Sequence, residues 1–456
     1  MKKNVYLLVA CLLSLPFLCQ ATHNRAGEIL YEQIGPKTIR AYIHTYTQAS
    51  SIPADRPTLP IKWGDGAEET LMRTNGPNGT GEPLDNDFKF NVYIGEHTYT
   101  DFGTYTISLT DPNRNGGILN VNPPISDNIP FHIESTFTLS DDFNQSPILL
   151  LAPVDIGIVG QVFEHTPNAF DPDGDSISYE LVVPFMDVGL EVPNYSFPNQ
   201  VNPYNNNINL DPKTGLFTWQ FPQEVGFYTI AIKVREYRNS EEIGSVIRDM
   251  MIEIKDLDQE APMVTANCSL PNGSLTVEAG DLVVLTAEAS TNAPNQELEL
   301  IASGGPLIID EMPATFVVNN NTMGTFNWNT IEQHARKQPY QVVFKVLTTE
   351  GVPAISICQI TVNGELTNVS SPFPTAVLQV YPNPSNGWLE IVLEGITYPT
   401  LIHFRLHNLL GQVVLKEGQV MMQEAHQLDL STLPPGLYTL EVQHALGRMT
   451  KKIVLE

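Results

Sequence analysis

Three aspartates at alternate positions form a dense group of potential metal ligands in this sequence. They are Asp171, Asp173 and Asp175, in the segment AFDPDGDSISYEL (169–181). Such spacing lets a turn wrap carboxylate oxygens around calcium, which takes about six to eight oxygen ligands. The segment is not an EF-hand loop, because Ser176 stands where that loop has glycine and Val182 where it has glutamate. Two interpretations follow: calcium bound by the three aspartates, or a solvated turn that shapes a hairpin.

A second loop, DPNRNGG (111–117), has oxygen-bearing side chains at its first, third and fifth positions and glycine at its sixth. Its twelfth position is Asn122, so the bidentate acid of an EF-hand loop is missing. This loop is the weaker calcium candidate of the two. The cofactor prediction is therefore calcium at the aspartate turn or none.

Motifs for catalysis are missing from the sequence. It contains no His-Glu-x-x-His, no Gly-x-Ser-x-Gly, no Cys-x-x-Cys and no glycine-rich phosphate loop after a strand. Single histidines such as His44, His97 and His165 are expected to be structural or exposed. We predict no catalytic residues, although a carboxylate pair that forms only in three dimensions would escape this reading.

Three tryptophans offer a different chemistry, since exposed indole faces can stack on sugars. These residues are Trp63, Trp219 and Trp328. Two of them occupy equivalent places in an internal repeat: GLFTWQFPQEVGFYTIAIKV (215–234) aligns with GTFNWNTIEQHARKQPYQVVFKV (324–346). A tryptophan that recurs just before a terminal strand favours core packing over a sugar platform. The repeat also predicts two consecutive modules of one type.

The net charge of the chain limits the classes of molecule that it can bind. Its 51 acidic and 24 basic residues give a net charge of −27, nearly all of it in residues 22–375. Such a surface repels phosphate backbones and anionic lipids, so we predict no nucleic-acid partner. It suits solubility and divalent cations.

The first residues, MKKNVYLLVACLLSLPFLCQA, join two lysines to an apolar run that ends near Leu18 and is followed by Ala21. The run fits the apolar region of a secretory signal and is short for a membrane span, so residues 1–21 are predicted to be a cleaved signal peptide. No later stretch is apolar enough for a transmembrane helix. Outside this segment the cysteines are Cys268 and Cys358, which in a secreted chain indicate a disulfide or two buried thiols.

The elements that must position these residues are strands. Runs such as TIRAYIHTYT (38–47) and DMMIEIK (249–255) alternate with period two and are separated by Gly, Pro and Asn clusters. The predicted fold class is all-β, with tandem Ig-like β-sandwich modules followed by a small C-terminal β-sandwich. The predicted boundaries are 22–145, 146–257 and 258–364 for three sandwiches, 365–376 for a Pro/Ser-rich linker, and 377–456 for the last module.

Family resemblances add to this picture. IKWGDG (61–66) with EHTYTDFGTYTISLTD (96–111) resembles the PKD family of Ig-like sandwiches. The second module resembles the cadherin-like or Ig-like modules of bacterial surface proteins. The third shares its back half, but Ser290, Asn292 and Pro294 replace the three aspartates. THNRAGEI (22–29) is similar to the start of surface proteins from gliding Bacteroidetes.

The last module resembles the type A C-terminal sorting domain of the type IX secretion system. Its hallmarks occur in order: YPNPSNG (381–387), HNLLGQVV (407–414), LDLSTLPPGLYTLEV (428–442) and KKIVL (451–455). The resemblance implies an outer-membrane translocon and a sortase-like protease as partners, and a passenger left on the outer surface of the outer membrane or in the medium. The residues that carry it are Tyr381, Pro382, Asn383, Pro384, Gly387, Gly411, Gly436, Tyr438, Lys451 and Lys452.

These observations predict a secreted or cell-surface protein with a non-catalytic passenger. The passenger would act in adhesion, in binding a glycan or protein, or as a spacer. A secreted hydrolase or accessory module of a degrading system is one alternative, because sorting domains often follow hydrolases. A structural component of a surface layer or motility apparatus is another. The sequence names no ligand for the passenger and no oligomeric state.

Overall fold

The computed structural model describes residues 24–51, 55–268, 273–293, 296–364, 377–394, 400–407, 413–422, 425–444 and 447–455. The predicted signal peptide and the predicted linker at 365–376 lie outside this part of the chain. The chain forms two compact units. The first holds the residues up to 363 apart from 310–312 and 331–335, and the second holds those two segments with residues 364–456.

Strands dominate all the modules, as the period-two patterns predict, so the all-β prediction is confirmed. The first module contains β1 (Asn24–Gly35), β2 (Thr38–Gln48), β3 (Thr58–Lys62), β4 (Glu68–Met72), β5 (Glu82–Leu84), β6 (Phe88–Thr98), β7 (Gly103–Asp111) and β8 (Phe131–Leu139). Among the described residues, the helical elements are a short α-helix, α1 (Pro198–Val201), and 3-10 turns at Pro77–Gly79, Ser126–Asn128, Gly305–Leu307 and Glu332–His334.

The second module contains mostly short strands and one long hairpin. The strands are β9 (Ile148–Leu149), β10 (Ile156–Ile158), β11 (Phe163–His165), β12 (Ala169–Phe170), β13 (Ser176–Val182), β14 (Phe185–Asp187), β15 (Leu190–Glu191), β16 (Asn207–Leu210), β17 (Phe217–Gln220), β18 (Gly226–Arg238) and β19 (Glu241–Lys255). The β18–β19 hairpin is antiparallel, and β13 pairs with the outer edge of β18.

Strand β19 belongs to the predicted second module but pairs with strands of the first module, across the boundary that the sequence predicts near residue 145. The strand order in the large sheet is β4-β3-β7-β8-β19-β1-β2-β6-β5, so β19 lies between the last and first strands of the first module. Gly244 pairs with Phe137 on β8, and Met250 pairs with Ala26 on β1. Residues 22–145 are therefore not a self-contained sandwich, because their sheet is completed by a strand from residues 241–255.

The apolar cores follow the same arrangement. One core lies within the first module around Trp63, while a second surrounds Trp219 and includes Tyr46 and Phe88 of the first module. A third core fills the third module and includes Phe170 from the end of β12. Each module of the first unit thus contributes side chains to, or receives them from, its neighbour's core.

The third module is a two-sheet sandwich. Its strands are β20 (Met263–Ala266), β21 (Ser274–Glu278), β22 (Leu282–Ser290), β23 (Leu298–Gly304), β24 (Thr315–Asn320), β25 (Met323–Asn329), β26 (Tyr340–Thr348) and β27 (Pro353–Asn363). The sheets have the orders β20-β22-β25-β24 and β21-β27-β26-β23. A disulfide joins Cys268 to Cys358 within its core, with the two Cα atoms 5.9 Å apart.

The internal repeat has a structural counterpart. Trp219 meets Tyr228 edge to face at 4.8 Å between ring centroids, and Trp328 meets Tyr340 in the same way at 4.9 Å. Both indoles are fully buried. The repeated sequence therefore encodes a repeated core contact, in which an edge-to-face pair adds a favourable quadrupole interaction to the burial of area.

The second unit contains β28 (Val377–Tyr381), β29 (Trp388–Glu394), β30 (Thr400–His407), β31 (Val413–Met422), β32 (Ala425–Asp429), β33 (Gly436–His444) and β34 (Gly447–Leu455). They form sheets of order β28-β29-β32 and β31-β30-β33-β34, which enclose one apolar core. Among the described residues of the whole chain, no helix is long and apolar enough to cross a membrane.

Candidate functional site

The aspartate turn joins β12 to β13, and its three carboxylates do not converge. The Asp171 side chain points inward and is fully buried, and its Oδ1 accepts a 2.8 Å hydrogen bond from the main-chain N–H of Asp175. Asp173 is exposed, and its Oδ2 accepts a 2.7 Å hydrogen bond from the main-chain N–H of Gln145 and lies 3.8 Å from the Arg238 guanidinium. The set of Asp171, Asp173 and Asp175 predicted as calcium ligands is thus divided by the turn.

A fourth carboxylate takes the place that the sequence assigns to Asp173. Glu236 lies near the end of β18 and is fully buried, and one oxygen each of Asp171, Asp175 and Glu236 lie within 4.8 Å of one another. We call these three residues the acid cluster. Glu236 continues the inward-facing series of Ile230, Ile232 and Val234 along β18, so strand alternation alone places it in the core. That signal could have found it from sequence.

The acid cluster is surrounded by groups from the first module and from the segment that joins the first two modules. The Tyr31 hydroxyl on β1 donates to Glu236 Oε2 at 3.1 Å, and the Asn144 amide donates to Tyr31 at 3.0 Å. Arg238 donates to both oxygens of Asp175 at 2.6–3.1 Å and to Asn144 Oδ1 at 2.7 Å. Side chains distant in sequence therefore meet at one junction.

Two carboxylate oxygens of the acid cluster have no hydrogen-bond partner among the described residues. They are Oδ2 of Asp171 and Oε1 of Glu236, and both are buried. Burial, followed by the charge of Asp173, raises the pKa of Asp171 to about 7. Burial, followed by the charge of Asp171, raises the pKa of Glu236 to about 9. The arrangement can hold a proton or a cation, because an ionised buried carboxylate needs a compensating positive charge.

The weaker loop at 111–117 does not present its oxygens to an ion. Asp111 is buried and accepts a 2.9 Å hydrogen bond from the Asn24 amide. Asn113 donates to the main-chain oxygen of Asp127, and the guanidinium of buried Arg114 binds Asp249 outside the loop at 2.5 and 2.8 Å.

The three tryptophans considered as a sugar platform are core residues, each no more than 1% exposed. The platform interpretation therefore fails for all three. The single histidines have structural contacts: Nε2 of His97 lies 2.7 Å from Asp65 Oδ2, and its ring stacks on Trp63. Nδ1 of His44 lies 3.5 Å from Glu28 Oε1.

His165 belongs to a second buried polar group, at the contact of the second and third modules. Nδ1 of His165 lies 2.8 Å from Asp155 Oδ2, and the Lys345 ammonium on β26 donates to the other oxygen of the same carboxylate. Burial lowers the pKa of His165 against the opposing effect of Asp155. All three side chains are at most 3% exposed. A substrate has no access to this histidine–aspartate pair.

In the second unit, the sequence hallmarks come together around Asn383. Its side-chain amide donates to the main-chain oxygen of Lys452 at 2.7 Å, while its side-chain oxygen accepts from the main-chain N–H of Val454 at 2.8 Å. Ser385 continues this pairing by donating its main-chain N–H to Val454 O. The YPNP segment and the KKIVL strand are thereby joined edge to edge.

Other hallmark residues surround this seam. Gly387 accepts a main-chain hydrogen bond from Leu430, and the Tyr438 hydroxyl donates to Pro434 O at 2.7 Å. Gly436 begins β33. The exposed members are Tyr381, Pro382, Asn383, Pro384, Lys451 and Lys452, and Gly411 lies outside the described residues. The exposed members lie on the two segments that the Asn383 seam joins, since the first four precede β29 and the lysines lie on β34.

Comparisons with known proteins agree with this geometry. Residues 379–456 match the family model of the secretion system C-terminal sorting domain. No curated protein matches the chain.

Solved structures similar to the chain include the N-terminal Ig1-2 module of the Drosophila receptor protein tyrosine phosphatase DLAR, with 14% identity, coverage of 46% of this chain and 94% of that one, and a TM-score of 0.19. The fibronectin(III)-like modules of Clostridium thermocellum CbhA are 12% identical, with coverage of 47% of this chain and 93% of that one and a TM-score of 0.16. The protocadherin gamma B2 extracellular cadherin domains 1-5 are 12% identical, with coverage of 88% of this chain and 77% of that one and a TM-score of 0.17.

These similarities are too low to carry an argument, and the fold class rests on the strand pairing itself. The sorting domain carries more, because the family match covers the residues whose contacts form the Asn383 seam. The interaction it implies is with the type IX secretion machinery. The last module is a type IX secretion sorting domain, and the chain is a secreted or cell-surface protein.

Proposed function

We propose that the exported passenger is a non-catalytic binding protein of the cell surface, in which three sandwich modules are fixed as one rigid body to present a ligand-binding surface. The observation that supports this most is strand β19, which completes the first module's sheet while forming the central hairpin of the second. Modules that share a strand cannot move apart without breaking a sheet.

Buried ion pairs cross this junction. Arg248 on β19 binds Glu28 on β1 through two hydrogen bonds of 2.9 and 3.0 Å, and both side chains are fully buried. Arg114 of the first module binds Asp249 in the same bidentate manner. Each pair links two modules, and an unpaired buried charge would be costly, so the pairs resist separation of the modules.

The junction of the second and third modules is built similarly. Phe170 enters the core of the third module, and the Arg336 guanidinium lies over both Phe170 and Tyr340 at 5.0 and 4.4 Å from the ring centroids. A side chain at Gly305 would collide with the Phe170 ring, so glycine is required there. Lys345 reaches across to Asp155. The charged side chains at this junction therefore hold the two modules together.

A groove on the first module offers a place for a ligand. It has a volume of about 330 Å³ and lies beside the turn after β3. Its lining combines Lys62, Glu68 and three hydroxyl side chains with two glycines, an alanine and Val188 of the second module. Hydroxyl groups and one charge of each sign suit a polar ligand such as a glycan or a peptide chain. We take this groove as the contact surface to test.

The test is binding of the exported chain to arrays of glycans and surface proteins, with Val188→Arg as the groove variant. Val188 is 51% exposed, so the larger side chain needs no rearrangement of the core. Val225→Arg is the matched control, because Val225 is 52% exposed and does not line the groove. We expect selective binding that Val188→Arg abolishes and Val225→Arg preserves.

Other outcomes would favour the alternatives. Hydrolysis of an arrayed glycan or protein by the purified chain would contradict a non-catalytic passenger and support the hydrolase reading. Absence of any binding, together with self-association in solution, would support a structural component of the surface instead. Binding that both arginine variants retain would place the contact surface outside the groove.

A further inference from the structure

The acid cluster has more negative charge than its protein partners neutralise. Asp171, Asp175 and Glu236 contribute three carboxylates, and Arg238 is the cationic side chain that hydrogen-bonds them. Asp173, on the outer side of the turn, and Arg336, which donates to the main-chain oxygen of Asp171 at 3.0 Å, add one charge of each sign nearby. With all of these groups ionised, the neighbourhood carries an excess of two negative charges.

The geometry shows where a positive charge is missing. Asp171 Oδ2 and Glu236 Oε1 are buried without hydrogen-bond partners among the described residues, whereas the other oxygens of these two residues accept hydrogen bonds from Asp175 N–H and Tyr31. Both side chains are fully buried. Buried ionised oxygens with no donor are expensive, so a ligand that satisfies both at once would be bound favourably.

The close packing of the cluster depends on a glycine of β19. Gly244 on β19 pairs with Glu236 on β18, and a Cβ atom there would collide with the Tyr31 hydroxyl and lie 2.9 Å from Glu236 Oε2. Glycine at this position allows the Glu236 carboxylate and the Tyr31 hydroxyl to occupy the space where a side chain would stand. The result is a cluster of oxygen atoms held between two modules.

We propose that this cluster is a calcium site, with Asp171 Oδ2, Glu236 Oε1 and an oxygen of Asp175 as protein ligands. A divalent cation balances the excess charge, and the hard oxygen ligands suit calcium. Irregular spacing within 4.8 Å fits the flexible coordination of calcium better than the strict octahedron of magnesium. Asp173 is outside this site, which differs from the ligand set that the sequence pattern predicts.

The site couples two modules. Its ligands lie on the second module, while Tyr31 reaches Glu236 from β1, and Asn144 links Tyr31 to Arg238. Calcium would fix the Glu236 carboxylate that Tyr31 contacts, and so strengthen the junction. This inference does not depend on which ligand the passenger binds, because a calcium site at the junction would exist whether or not the groove is functional.

The test is calorimetric titration of the chelator-stripped full chain with calcium chloride, with magnesium chloride for comparison. We expect one calcium ion per chain with a dissociation constant of roughly 0.1–1 mM, the range of extracellular modules. Calcium at ten times that concentration should raise the melting temperature by a few degrees, since a ligand of the native state stabilises it. Magnesium should bind at least tenfold more weakly.

Two variants separate the cluster from the rest of the turn. Glu236→Gln keeps the shape of the side chain and should weaken calcium binding at least tenfold. Asp173→Asn is the matched comparison, because Asp173 belongs to the same turn but not to the cluster, and its Oδ2 accepts from Gln145 N–H and lies 3.8 Å from Arg238. It should bind calcium within about twofold of the unsubstituted chain, apart from the small loss of long-range charge.

A readout without substitution in the cluster guards against a variant that fails to fold. Terbium can replace calcium at oxygen sites, and Tyr31 hydrogen-bonds Glu236, so excitation of tyrosine should give terbium emission that calcium displaces. Tyr31→Phe should remove most of that emission. Heat of binding or emission that Asp173→Asn abolishes and Glu236→Gln leaves intact would overturn the site, as would the lack of calcium binding at 10 mM, roughly ten times the weakest expected constant.

Discussion

Substitution of Arg248 by methionine tests whether the first two modules form one cooperative body. The Arg248 guanidinium donates to both oxygens of Glu28 and to the main-chain oxygen of Leu151 at 2.5 Å, and neither charged side chain is exposed. Arg248→Met fills the space of the arginine stem but leaves the Glu28 carboxylate with Nδ1 of His44 at 3.5 Å. Removal of one partner from a buried pair costs about 3–5 kcal/mol.

The pKa of Glu28 gives a second expectation for the same variant. Burial alone would raise that pKa, but Arg248 and His44 outweigh burial, and the pKa is lowered. Without Arg248 the carboxyl should become easier to protonate. A group whose folded-state pKa is lowered stabilises the fold above its unfolded value, so the difference between Arg248→Met and the unsubstituted protein should be largest near neutral pH and shrink in acid.

The assay is denaturant unfolding followed separately in the two modules. Trp63 lies in the core of the first module and Trp219 in that of the second, so versions in which phenylalanine replaces the other three of the four tryptophans report on one module each, and Arg248→Met is compared within each of these backgrounds. We expect the Arg248→Met transition to shift equally for both reporters. The double variant Glu28→Met/Arg248→Met should recover most of the loss, because no buried charge is left unpaired.

A surface pair supplies the control. Arg40 donates to Glu96 from neighbouring strands of the first module with a comparable geometry, but these side chains are 35% and 52% exposed. Arg40→Met should cost less than about 1 kcal/mol, as exposed ion pairs do. A loss below 1 kcal/mol for Arg248→Met, or a transition that moves for Trp219 while Trp63 stays unchanged, would refute the reasoning that the modules unfold together.

Three further predictions concern the rest of the first unit. Replacement of Cys268 and Cys358 by alanine should lower the free energy of unfolding by at most ~4–5 kcal/mol for a loop that spans 90 residues, and denaturation that matches the unsubstituted chain would contradict a disulfide. Burial lowers the pKa of His165, so the unfolded chain binds more protons in mild acid than the folded chain does. The free energy of unfolding of the unsubstituted protein should therefore fall by up to ~1.4 kcal/mol per pH unit below about 6.5 relative to that of His165→Gln. A difference in unfolding free energy that stays constant from pH 7 to 5 would contradict this expectation. Trp328→Ala should cost about 3–5 kcal/mol by calorimetry, against less than about 0.5 for Trp388→Ala, which is 56% exposed; equal costs would disagree with core packing.

Much of the fold follows from local patterns. The period-two runs identify strands, and the repeated Trp and Tyr positions identify two related cores, because alternation and aromatic burial are local properties of a half-buried strand. The sorting domain can be predicted equally well from the sequence, since its hallmarks are short contiguous motifs. Local patterns do not show that β19 is shared between two modules. The pairing of a strand depends on contacts between residues more than a hundred positions apart, such as Gly244 and Phe137.

The candidate site divides in the same way. The sequence identifies the aspartate turn, and the turn supplies two of the cluster's members, Asp171 and Asp175. The predicted set also includes Asp173, which lies outside the cluster, because spacing cannot tell which carboxylates a folded turn brings together. Glu236 was available to sequence reasoning, since it follows Ile230, Ile232 and Val234 on the inward face of β18. A charged residue in an inward register indicates a buried partner, and Arg248 in the series of β19 shows the same signal.

The placement of these charges explains why the module junctions are polar at all. Apolar sandwich faces can pack in several registers at similar cost, whereas a buried guanidinium such as Arg248 is satisfied only when Glu28 stands opposite it. The charged residues therefore contribute specificity rather than stability, and methionine at both positions should preserve stability while relaxing the arrangement of the modules. The proposed calcium site would extend this logic, because a cation between Asp171 and Glu236 would neutralise negative charge at the junction. A surface protein that meets calcium outside the cell would thus reach its most rigid form there.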